Sequence, residues 1–291
     1  MLSLKSHPLL AVLSVLAAGT STSSALVVLI SDLVPAGPAG ALEAFLSSNF
    51  TNVTEIRHAN YANFAAAGTQ DAILGTGAFT GNGAADVVII GRSLGSADYD
   101  AFDAAGYNTL SIPVVNLTSY TARQDGNRMG WHASGATVGT SVAGVESVVT
   151  TAGAAILGLA AGSYDLLTEV SATDSLFNGL AAGTTAFGGG SILATVGTDT
   201  LAAYWAIGDA PGNPTAATVA TFPGPRLLFN LDNDPNAGNN GVNDLRNMTP
   251  AGLQALRSAI DFATPLTAIP EPSAAVLGLV GFVLLSRRRR S

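Results

Sequence analysis

LVVLISD, residues 26–32, is a nearly unbroken apolar run that closes on a polar pair. Seven residues are too few for a typical buried helix, and the run leaves no polar face for water. That suits a strand buried on both sides of a sheet. The same pattern returns in DVVIIGR (86–92) and IPVVNL (112–117). Between these runs GALEAFLSS (40–48) has a helical pattern, and VTEIR (53–57) alternates as a short strand. Residues 71–74 belong to a helix broken by the glycines that follow. Residues 96–105 are helical, with Asp98, Asp100 and Asp103 near the start, where the helix dipole favours them. Strand and helix alternating at this spacing predict βαβ units, hence an α/β fold with an open, mostly parallel sheet flanked by helices.

The second half is less periodic. Residues 135–162 are rich in Ala, Gly, Val and Thr. SILATV (191–196) and LAAYWAI (201–207) read as neighbouring strands, and PRLLFNL (225–231) as another. The last helix is better marked. Thr249 is a natural N-cap, Pro250 suits the first helical position, and Leu253, Leu256, Ile260 and Phe262 trace an apolar face.

Composition narrows the function classes. The 291 residues are 48% hydrophobic and 11% charged, which is enough apolar surface for a sizeable core. Between residues 26 and 268 there are nineteen Asp and Glu against seven Arg and no Lys. So acidic a body repels nucleic acid and anionic lipid. The absence of Cys excludes disulfides, thiolate metal sites and cysteine catalysis.

The two ends read as addresses. Lys5, an apolar run of about eleven residues from Pro8 to Ala18, and the small residues Ser23, Ser24 and Ala25 have the order of a secretory signal peptide over residues 1–25. Cleavage is expected near Ala25, by signal peptidase after passage through the general secretion machinery. At the other end, residues 263–272 form a Pro-containing linker, and 273–291 hold a short apolar helix and four arginines. Its apolar stretch, residues 273–285, would rise about 20 Å as a helix, against a hydrocarbon core of about 30 Å. That makes a temporary membrane hold, with the arginines left cytoplasmic by the positive-inside rule. Pro270 and Pro272 keep Glu271 extended and open to an enzyme.

Pro270, Glu271 and Pro272, the apolar helix, and Arg287, Arg288, Arg289 and Arg290 together resemble a PEP-CTERM sorting signal of exported Gram-negative proteins. The resemblance implies processing by an exosortase-type membrane peptidase and delivery to the cell surface or extracellular matrix. The body, residues 26–262, resembles the class I glutamine amidotransferase-like fold, in particular its ThuA-like branch, with a flavodoxin-like sheet. Three segments carry this: residues 86–92 with 113–120 (PVVNLTSY), TDSLFNGL at 173–180, and NMTPAGLQALRSAIDF at 247–262. In the second, Ser175 stands where the family usually has His. The family's nucleophile is a Cys, so glutamine hydrolysis by that route is absent here.

Candidate chemistry is sparse. Ser119, after a central strand, could serve as a nucleophile with His132 as base, but no glycine flanks it as an elbow requires. YTARQDGNRMGWH (120–132) concentrates Arg123, Arg128, Trp131 and His132 at the sheet edge where open α/β folds bind ligands. Arg92 ends its own strand toward the same edge. Arginines can clamp anionic groups and Trp131 can stack on a sugar; alternatively the arginines pair with acids and Trp131 fills core. LDNDPNAGNNGVND (231–244) offers Asp232, Asp234, Asn236 and Asp244 at spacings near those of a calcium loop, with the glycine one place late and Asn243 where a bidentate Glu is expected. No cofactor other than calcium is expected. These readings converge on an exported, surface-sorted, non-enzymatic envelope or matrix protein with extracellular polysaccharide as its ligand. The alternative is a secreted hydrolase of carbohydrates or esters.

Overall fold

The three apolar runs become adjacent parallel strands. The structure, a computed structural model, describes residues 23–32, 40–58, 64, 69–91, 101–124, 128–133, 146–167, 180–183, 185–231, 245 and 248–264. β1 (Ser23–Asp32) pairs in parallel with β2 (Phe50–His58) on one side and with β3 (Val87–Ile90) on the other. β3 then pairs with β4 (Val114–Asn116), and β4 with β10 (Arg226–Phe229). All side chains of β3, β4 and β10 are buried, the polar Asn116 and the charged Arg226 at two strand ends among them. β2 is longer than the alternating core VTEIR suggested, because it follows β1 along its length.

Beyond β10 the sheet turns antiparallel through β9 (Asp199–Trp205), β8 (Ser191–Val196), β5 (Ser147–Val149) and β6 (Gly162–Tyr164), while β7 (Leu180–Ala181) pairs with the start of β9. The order β2-β1-β3-β4-β10-β9-β8-β5-β6 keeps the central sheet mostly parallel and adds an antiparallel wing. The expected neighbours at 191–196 and 201–207 are β8 and β9. Ile207 falls outside the strand and is exposed.

Helices cover both faces: α1 (Gly40–Asn49), α2 (Thr69–Leu74), α3 (Ala101–Asn108), α4 (Ser119–Ala122), α5 (Thr151–Leu157), α6 (Pro214–Ala217) and α7 (Pro250–Ala263). α2 stops at Gly75, whose φ of +65° and close approach to the Gly83 carbonyl leave no room for a Cβ. α7 begins as expected, with Thr249 Oγ1 accepting from the Gly252 amide and Pro250 in the first turn. Its buried face is Gly252, Ala255, Leu256, Ala259, Ile260 and Ala263; Phe262, expected inside, is exposed and meets Tyr204 edge-to-face. Asp103 lies in the first turn of α3, buried, with Oδ1 accepting from the Phe64 amide.

Alternation along the strands makes two cores. Val27, Val87, Ile89, Val115, Leu227 and Phe229 pack with Leu256 and Ile260 on one face. Val28, Val88, Ile90, Val114 and Leu228 pack with Trp131, Trp205 and Phe222 on the other. Among the described residues no helix is long and apolar enough to cross a membrane. The expected sorting helix, Pro270, Glu271, Pro272 and Arg287 to Arg290 lie outside the described residues, as do residues 1–22 of the expected leader.

Candidate functional site

Two central strands end in the same dipeptide. β4 runs into Asn116-Leu117 and β10 into Asn230-Leu231. The leucine amides extend the ladder, Leu117 donating to Ile90 and Leu231 to Leu117. Alternation places both asparagines on the face of Val114 and Leu228, at the carboxyl edge of the sheet, where open α/β folds bind ligands.

Each Asn organises a turn. Asn116 Oδ1 accepts from the Thr118 amide at 3.1 Å and from Thr121 Oγ1 at 2.8 Å. Thr118 caps α4 by accepting from the Tyr120 amide, and Asn230 Oδ1 accepts from the Ser119 amide at 3.1 Å. Thr200, opposite Leu180 on β7 and therefore on the same face, completes the row. Asn116, Thr118, Ser119, Thr121, Thr200 and Asn230 are all buried. Among the described residues Asn116 Nδ2 and Thr200 Oγ1 meet no hydrogen-bond partner. Among the described residues the edge is thus lined by neutral donors and acceptors.

The stretch after α4 folds back on it. The amides of Met129, Gly130 and His132 donate to the carbonyls of Thr121, Arg123 and Ala122. Gly130 takes φ +65°, and a Cβ there would meet the Ala217 amide nitrogen at 2.4 Å. This return drives Trp131 inward. The indole is fully buried, 5.4 Å from Trp205 and 6.1 Å from Phe222 between ring centroids, and its Nε1 donates to Asn108 Oδ1 at 2.7 Å. Asn108 in turn donates to the carbonyls of Met129 and Ala217. As folded, Trp131 offers no face to a sugar and fills core, the alternative its sequence context allowed.

Ser119 is the first residue of α4 and is buried. His132 is buried against Phe187, ring centroids 4.8 Å apart, with Nε2 3.3 Å from the Ala181 carbonyl oxygen. Neither contact joins Ser119 to His132. Arg123 and Arg128 are half-buried, and the Arg123 guanidinium lies over the Tyr120 ring at 5.1 Å. Arg92 lies outside the described residues, and so do Asp232, Asp234, Asn236 and Asp244. Among the described residues no group of three or more His, Asp or Glu could hold a metal.

Sequence reading passed over Asn116, Asn230, Asn108 and Thr200. The repeated Asn-Leu at the ends of two apolar strands was a usable signal for the first pair: a polar side chain there must be satisfied locally. Asp199, beside Thr200 but on the opposite face, was missed too. It is buried with Oδ1 unpartnered among the described residues, and desolvation raises its carboxyl above the usual range. An acid with a raised folded pKa contributes most below its unfolded pKa, and that contribution is lost as pH rises through the folded value. Asp199→Asn is therefore expected to stabilise the protein at neutral pH, with the gain vanishing in acid. Urea unfolding at the two pH values checks it, and an equal or opposite effect at both would refute it.

Fold and edge together define an open α/β sheet protein whose carboxyl edge, among the described residues, carries buried hydrogen-bonding side chains. No family model matches the chain, and neither does any curated protein or solved structure.

Proposed function

We propose that this chain is an exported, surface-sorted, non-enzymatic component of the cell envelope or extracellular matrix, processed at both ends. One observation carries the reading: Pro-Glu-Pro at 270–272, a thirteen-residue apolar run and four arginines follow one another in that order. The acidic body suits life outside an anionic membrane. A cut at the Pro-Glu-Pro motif removes none of the described residues, since α7 closes the body at Ala263 and Thr264 follows. The amidotransferase-like reading of the body rests on its three segments, and the parallel order β2-β1-β3-β4-β10 supports it. The proposed polysaccharide contacts rest on the half-buried Arg123 and Arg128, and not on the buried Trp131.

Mass spectrometry of the protein from its own host tests this. The expected mature form starts at or near Leu26 and has lost Arg287 to Arg290; the variant Pro270→Ala/Pro272→Ala is expected to stay membrane-bound and full-length. Wild-type protein held permanently in the inner membrane with its arginines would end the proposal.

A hydrolase using Ser119 and His132 is the second reading. It draws on their common contact with α4: Ser119 opens the helix, and the His132 amide donates to the Ala122 carbonyl at its end. Ester or glycoside turnover abolished by Ser119→Ala would replace the first reading with this one.

A further inference from the structure

The start of β1 holds a contact that changes character on maturation. The Leu26 amide nitrogen donates to Asp86 Oδ2 at 2.8 Å, and the Asp86 amide donates back to the Leu26 carbonyl at 2.9 Å. Asp86 immediately precedes β3, so this two-point clamp sets the register of the two strands. Leu26 also lines a hollow of about 450 Å³ with Asn52, Val53, Thr54, Gly81 and Asn82. None of those five carries an ionisable side chain, which leaves Asp86 as the charged group facing the Leu26 nitrogen among the described residues.

Resting on the export reading above, we propose that removal of the leader between Ala25 and Leu26 creates an N-terminal ion pair with Asp86 that locks β1 to β3. Hydrolysis of that peptide bond consumes one water and leaves a carboxylate on Ala25 and an α-ammonium on Leu26. The same nitrogen that donates one neutral hydrogen bond in the precursor then presents a positive charge to the same carboxylate. Charge-assisted bonds of this kind are roughly twice as strong as neutral ones. The remaining strand is ready for it. Starting β1 at Leu26 forfeits the Ser23–Phe50 pairing and keeps the other pairings to β2 and all those to β3. The timing follows as well. Leu26 is buried once β1 is docked, so the peptidase acts before folding, and the lock forms only in processed chains.

The chain supplies its own probe. Lys5 is the sole lysine and lies in the leader, so the mature protein carries one primary amine, the Leu26 α-amine. Its acylation rate as a function of pH reads its pKa directly. The opposite charge of Asp86 favours the ammonium, so the midpoint is expected roughly half a unit to one unit above the ordinary range of about 7.7–8.0. Asp86→Asn returns it to that range. Acetylating the amine lowers the melting temperature of wild type by about 2–4 °C and leaves that of Asp86→Asn unchanged. With the Asp86 carboxylate ionised, the amine's raised folded pKa makes the wild-type advantage full below about pH 7.7 and lost as pH rises through the folded value. A mature protein beginning at Leu26 with an ordinary amine and no differential effect of acetylation overturns the lock while leaving export intact. Intact-mass analysis showing residues 1–25 retained overturns both, and a first residue other than Leu26 overturns the lock alone.

Discussion

Arg226→Met is expected to destabilise the protein by about 3–5 kcal/mol, a loss of about 6–20 °C in melting temperature. Arg226 opens β10 at the end of the strand opposite the carboxyl edge and is fully buried. Its Nη1 donates to the carbonyls of Ile112 and Pro225, and its Nη2 to those of Tyr107, Asn108 and Leu110. Tyr107 and Asn108 are the last two residues of α3, where the final carbonyls of a helix have no partner of their own, and Leu110 lies just beyond it. One guanidinium therefore caps a helix, ties it to the sheet and sits at the negative end of the helix dipole. The face of Phe222, 5.2 Å away, adds a cation–π contact. Burial pushes the guanidinium pKa down to about 9, which still leaves it charged at neutral pH.

Methionine fills similar volume and supplies no donor, so buried carbonyls would be orphaned at about 1–3 kcal/mol each where water cannot reach them. Arg226→Lys is expected to recover only part of the loss, because an ammonium is compact and lacks the planar fork. Chemical denaturation of the three proteins decides the point. A methionine variant as stable as wild type would mean that the helix end is satisfied without the arginine.

Trp131→Ala is the second large effect, expected to cost about 3–5 kcal/mol. The ring is enclosed by Trp205 and Phe222, and its N–H is tied to Asn108, so truncation leaves both a cavity and a buried unpaired acceptor. Trp131→Phe keeps most of the volume and is expected to cost about 1–3 kcal/mol through the Asn108 oxygen alone. The pattern separates a core residue from a sugar platform. A platform would lose polysaccharide binding at unchanged stability; a core residue loses stability first. Both tryptophans of the chain are fully buried, so weak quenching of fluorescence by acrylamide is the corresponding signature in wild type.

Of the two readings open for Trp131, the burial of its ring favours core. Its neighbours Arg123, Arg128 and His132 made a polar cluster in the sequence, and polar clusters after a central strand suggest a site. What turns the indole inward is the return of residues 128–133 onto α4, fastened by Gly130 and by Asn108, which lies 23 positions upstream of the ring it holds. No local pattern encodes that. The carboxyl edge was partly legible: its place after residue 117 was expected, while the two strand-end asparagines and Thr200 buried there were not.

By itself the sequence determined the apolar runs that became β1, β3 and β4, and the capped last helix, because apolar period and cap chemistry act within a few residues of themselves. Only the tertiary structure decided that β10 inserts beside β4 across an interval of more than a hundred residues, that the wing beyond it runs antiparallel, and that Arg226 is the cap of a distant helix. Strand partners and buried hydrogen bonds are chosen by which surfaces fit once the chain has closed on itself, and adjacent residues carry no record of that choice.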